Sequence, residues 1–116
     1  MLGTVRRYGP VHQNSCVKVD DDLPLDKAVL VGCGVPTGWG SAVNTAAIKA
    51  GDTAVIVGVG VGGIGINAVQ GARHAGAKNV IAIDPLENKR EKALVVGATH
   101  AFATTDEAIA TITERP

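Results

Sequence analysis

Aromatic side chains are almost missing from this chain: one Trp, one Tyr and one Phe among 116 residues. A hydrophobic content of 46% must therefore be packed from Val, Ile, Leu and Ala. Cysteine is as scarce. Cys16 and Cys33 are too few for a disulfide framework, so a reduced, cytoplasmic setting is the expectation. Charge of one sign is lacking too: eleven Lys and Arg offset eleven Asp and Glu, and no basic block tracks a phosphate backbone. That argues against a nucleic-acid partner. Gly, Asp or Lys interrupts every apolar run well short of the ~18 residues of a membrane span, and the N-terminus has no signal-peptide apolar stretch. The length suits one domain or part of one.

Glycine, by contrast, is plentiful, and it is concentrated where the chain changes texture. Before that point the chain is irregular, with CVKV as a short strand holding Cys16. PLDKAVLV follows as a short helix with acids at its start. GCGVPTGWG reads as a loop, because Pro36 disfavours helix at the residue before it. SAVNTAAIKA reads as a helix stopped by Gly51.

From Thr53 onward, AVIVGV is a continuous apolar segment, the pattern of a parallel strand covered on both faces; NVIAID reads as a second buried strand ending in an acid and THAFAT as a third. Between and after them INAVQGARHA, ENKREKALVV and TDEAIATIT read as helices, the first two closed by Gly76 and Gly97, the third capped by Thr105. Residues 53–116 thus spell β-α-β-α-β-α, the first half of a doubly wound α/β parallel sheet of the Rossmann type. A division at 1–50 and 51–116 separates this half-fold from what precedes it.

The glycines of AVIVGVGVGGIGINAV satisfy G-x-G-x-x-G in two frames, Gly58-Gly60-Gly63 and Gly60-Gly62-Gly65. A glycine-rich turn by itself is often only a tight turn. Here it follows a buried strand and opens a helix, so backbone N–H groups converge where a pyrophosphate could sit. Asp84 closes the second strand, where a carboxylate accepts hydrogen bonds from ribose hydroxyls and repels a 2′-phosphate. That combination favours NAD over NADP. A plain N-cap for the following helix is the simpler role for Asp84, and the two can coexist. Flavin and S-adenosylmethionine sites use similar turns; the methyltransferase version usually has an acid before its first glycine, where this chain has Val55-Ile56-Val57.

VGCGVPTGWGSAV, AGDTAVIVGVG and GGIGINAVQGARHAGAKNVIAIDPLENKREKALVVGATHAF together closely resemble the zinc-dependent alcohol dehydrogenases of the medium-chain dehydrogenase/reductase family, in the bacterial branch near the thiol-dependent formaldehyde dehydrogenases. The resemblance implies a truncated member: a catalytic-domain remnant plus half of the NAD-binding domain. It implies that Cys33 is one of three protein ligands of a catalytic zinc, which would polarise an alcohol so that hydride leaves to NAD. Thr37, on the catalytic side, and Ile64 match positions that pack on the nicotinamide. Gly60, Val61, Gly62, Gly63, Ile64 and Gly65 match the pyrophosphate turn, Asp84 the ribose acid, and Lys89 a lysine near the adenosine ribose.

The nineteen residues from Gly65 to Asp84 equal the family spacing. That selects the frame Gly60-Gly62-Gly65, with Gly58 and Val59 extending the strand and two residues inserted. The family's other two zinc ligands have no counterpart here, and His12, His74 and His100 read as surface or capping residues. The expected reaction is oxidation of a small-molecule alcohol to an aldehyde or ketone, with this chain alone inactive. A non-catalytic nucleotide-binding module is the alternative, as is a chain completed by a partner subunit or a homodimer. Without a fourth strand the edge of the first is expected to stay unpaired.

Overall fold

The computed structural model describes residues 9–60 and 63–113. Three parallel strands lie in the order β1 (Thr53–Val57), β2 (Asn79–Ile83), β3 (His100–Phe102). β1 pairs with β2 from Thr53↔Asn79 to Val57↔Ile83, and β2 with β3 from Ile81↔His100 to Ile83↔Phe102. Among the described residues five α-helices accompany them: α1 (Leu25–Val31), α2 (Gly34–Gly40), α3 (Ile64–His74), α4 (Glu87–Val95) and α5 (Thr105–Thr113).

Alternation along β2 divides the core into two layers, because successive side chains of a strand point to opposite faces. Val80 and Ala82 join Ala54, Val69, Ala72 and Ala93 beneath α3 and α4. Ile81 and Ile83 meet Ala108 of α5 and Phe102 on the other face. β2 is thus covered on both sides, as its unbroken apolar sequence requires. β1 is not. Ala54 is buried and Ile56 half-buried against α3, whereas Val55 and Val57 are 55% and 68% exposed. The expectation of cover on both faces fails for β1, because α5 reaches only the β2–β3 part of that face. Its outer edge has no neighbour among the described strands.

Several local expectations are corrected. CVKV forms no strand; Cys16 is exposed, its thiol donating to the His12 carbonyl at 3.7 Å. The GCGVPTGWG segment is helical rather than a loop. Pro36 lies in the first turn of α2, where a missing N–H breaks no intrahelical bond. The helix expected over SAVNTAAIKA is only a π-type turn at Ser41–Thr45, and Ala47 adopts φ = +49°. β1 stops at Val57: Gly58 turns away at φ = +79°, although its N–H still donates to the Ile83 carbonyl at 2.8 Å. At α5 the cap is Thr104, not Thr105. Thr104 Oγ1 accepts from the Glu107 N–H, and Glu107 Oε2 accepts from the Ala103 N–H, a reciprocal arrangement close to a capping box.

α2 lies directly on α3, and glycines make this possible. A Cβ on Gly38 would fall 2.0 Å from the Ile64 carbonyl oxygen, and one on Gly71 would fall 3.1 Å from the Trp39 carbonyl oxygen. Trp39 then stacks at a tilt on His74, ring centres 4.9 Å apart. The segment bearing Cys33 and Thr37 is therefore seated on the helix that follows the glycine turn.

Candidate functional site

The glycine turn and the end of β2 meet at one carboxylate. Asp84 is 5% exposed, the buried charged residue of the described core. Its Oδ2 accepts from the Gly60 N–H at 3.1 Å, and its Oδ1 from the Leu86 N–H at 3.0 Å. The second contact reaches two residues along the chain, an Asx turn rather than the N-cap of α4, which falls at Leu86 without a side-chain bond. Each carboxylate oxygen has lone pairs beyond the one so used, so further donors can be accepted.

Glycine is required at two points of this turn for reasons the backbone makes plain. A Cβ on Gly65 would lie 2.3 Å from the Gly58 carbonyl oxygen and 2.5 Å from Val59 Cα; the start of α3 therefore rests directly on the chain leaving β1. Gly63, at the N-cap of α3, has φ = +79°. Gly60 is covered differently. The methylenes of Lys89 pass so close that a Cβ there would meet Lys89 Cγ and Cδ at 2.6 Å. Between turn and helix lies a cleft of ≈ 200 Å³ lined by Val59, Gly60, Gly63, Ile66, Lys89 and Lys92. A larger groove of ≈ 490 Å³ runs along the open side of β1, away from the turn.

Gly60, Gly63, Gly65, Asp84 and Lys89 are thus brought together, with Ile64 opening α3. Val61 and Gly62 lie outside the described residues. Thr37 and Cys33 form a separate group on α2. Cys33 is exposed at the N-cap, its carbonyl accepting from the Thr37 N–H at 3.0 Å, and the Thr37 carbonyl accepts from Ser41 Oγ at 2.6 Å. Among the described residues no three His, Cys, Asp or Glu side chains come together in a way that could hold a metal. A lone exposed thiol supplies one of the three or four ligands zinc needs, so the described residues do not by themselves fit a zinc ion. The histidines are engaged elsewhere: His12 Nδ1 caps the turn Gln13–Ser15, His74 meets Trp39, and His100 stacks on Phe102.

Sequence reasoning missed Arg90. Its Nη1 donates to the carbonyls of Asp84 at 2.8 Å and of Pro85 at 2.9 Å. The signal was a guanidinium six residues after the acid, one helical step beyond Lys89, but only packing of α4 on β2 shows where it reaches. No helix of the described residues is long and apolar enough to cross a membrane.

Comparison with known proteins adds a consistent picture. The family model described as zinc-binding dehydrogenase matches residues 63–116. The chain is 64% identical over 114 residues to the NDMA-dependent alcohol dehydrogenase of Amycolatopsis methanolica, covering 98% of this chain and 30% of that protein. It is 49% identical over 114 residues to alcohol dehydrogenase B of Mycobacterium tuberculosis (strain ATCC 25618 / H37Rv), with the same coverage. Among solved structures, benzyl alcohol dehydrogenase from Acinetobacter calcoaceticus superposes with a TM-score of 0.73 at 34% identity, covering 84% of this chain and 27% of that one. The chain spans about three tenths of the length of these curated relatives.

Proposed function

Since the chain belongs to the zinc-type medium-chain alcohol dehydrogenases, we propose that its glycine turn and Asp84 hold the adenosine and pyrophosphate part of NAD. The observation that carries this reading is the Asp84 carboxylate, buried and bonded to the Gly60 N–H of the turn. It is held by two backbone donors and keeps acceptor capacity for ribose hydroxyls. The turn from Gly60 to Gly65 would carry the phosphates: Gly63, open at the N-cap of α3, has no side chain to hold them off, and the N-terminus of α3 favours their charge. Lys89, already lying across Gly60, would lend its ammonium on the adenosine side. NAD supplies the hydride acceptor when it is bound.

In this reading the chain contributes to oxidation of a small-molecule alcohol as one part of a larger catalytic unit. Thr37 and Ile64 would face the nicotinamide side; the close approach of Gly38, next to Thr37, to the Ile64 carbonyl supports a common surface. Cys33 would serve as one zinc ligand only where other segments or chains bring the rest. Calorimetry with NAD and with AMP tests the binding reading: similar, weak affinity for both is expected, and no heat from either overturns it. The chain alone, supplied with zinc and NAD, is expected to oxidise no simple alcohol. Turnover that disappears in Cys33→Ser would refute that.

A further inference from the structure

The β2–α4 turn presents the Asp84 carboxylate, and it is braced from the far side by a cation. Past Ile83 the β2–β3 ladder continues only through the Asp84 N–H, which donates to the Phe102 carbonyl at 3.1 Å. Without Arg90 the Asp84–Pro85 peptide, which has no N–H, would have no hydrogen bond among the described residues, and the Pro85–Leu86 peptide would be held only by the Leu86 N–H on Asp84 Oδ1. Arg90 takes both with Nη1, whose two N–H bonds allow one to each carbonyl. The Arg90 N–H in turn donates to the Leu86 carbonyl at 3.2 Å, so the same residue is anchored at the first turn of α4.

We infer that Arg90 is a positioning residue for the nucleotide site: by tying the Asp84 and Pro85 carbonyls it holds the Asp84 side chain toward Gly60 and Leu86, and is itself withheld from a 2′-phosphate. The inference rests on the nucleotide reading above and adds to it the group that keeps the ribose acid in one orientation. A lysine lacks the planar fork and reaches the two carbonyls less well, so Arg90→Lys is expected to be intermediate and Arg90→Met to lose the clamp.

The test has a part without ligand and a part with it. Amide hydrogen exchange followed by NMR reads the Gly60 and Leu86 N–H groups that Asp84 accepts. In Arg90→Met their exchange is expected to speed up by about tenfold, the size of one hydrogen bond's net contribution, while Ala82 inside β2 keeps its protection. Titration with AMP and with adenosine 2′,5′-bisphosphate then reads discrimination: the wild type prefers AMP, and the preference falls severalfold in Arg90→Met and less in Arg90→Lys. A folded Met variant with unchanged exchange at both amides and unchanged preference overturns the inference. Should the Met variant not fold, Arg90→Lys decides by the same two readings, and wild-type values in it are fatal. A wild type that binds neither nucleotide overturns the nucleotide reading instead, and the inferred role with it, whatever the exchange data show of the clamp.

Discussion

The Gly60 N–H donates to Asp84 Oδ2 at 3.1 Å, joining the turn after β1 to the end of β2 across 24 positions of sequence. That bond places a negative group beside the glycine turn proposed to hold the phosphates, and its cost is offset because both carboxylate oxygens are paired. Removing the side chain in Asp84→Ala leaves the Gly60 and Leu86 N–H groups without their acceptor. The expected loss is about 1–3 kcal/mol, read from urea unfolding, together with loss of measurable AMP binding. Asp84→Asn, which retains one acceptor, should fall between.

Gly65 separates packing from propensity. Its Cβ would sit 2.3 Å from a backbone oxygen, so Gly65→Ala must push α3 away from the strand end and should cost about 1–3 kcal/mol. Gly40→Ala is the control: its φ is −63° and the nearest atom to a new Cβ is Asn44 Nδ2 at 3.6 Å. There, alanine should stabilise by roughly 0.5–1 kcal/mol. Thermal unfolding of the two variants should move in opposite directions.

The α2–α3 contact can be watched through the single tryptophan. Gly38→Ala would drive α2 off Ile64 and separate Trp39 from His74. A red-shifted Trp39 emission in the folded variant is expected, with a stability loss of about 1–3 kcal/mol. Unchanged emission would mean that α2 tolerates the methyl without moving.

The open flank of β1 has a consequence for solution behaviour. Val55 and Val57 expose apolar surface beside a parallel edge that has no partner among the described residues, an arrangement prone to edge-to-edge association. Val57→Lys removes no buried contact, so its stability should stay within about 0.5 kcal/mol of wild type. Sedimentation velocity should show less concentration-dependent association in the variant; equal association would place the sticky surface elsewhere.

Much of this was readable along the chain. The apolar run VIAI, Val80 to Ile83, needed cover on both faces and has it. Gly76 and Gly97 stop helices at positive φ, as glycines after a periodic run do. The acid closing β2 was legible because strand period and glycine turn jointly predict where a carboxylate meets the turn. Other features were hidden for identifiable reasons. Pro36 reads as a helix breaker unless its place in the first turn is known. Thr104 and Thr105 are equivalent cap candidates until Glu107 folds back toward Ala103.

What the sequence determined by itself is local: the order of strands and helices from Thr53 onward, and the glycines that permit left-handed backbone. These follow from backbone sterics and side-chain period, which act within a few residues. The tertiary structure alone decided which atoms meet. It set Lys89 across Gly60 and Arg90 behind Asp84, brought α2 onto α3 through Gly38 and Gly71, and left one face of β1 bare. Those relationships depend on how separate elements pack, and neither periodicity nor composition carries the distance between two elements.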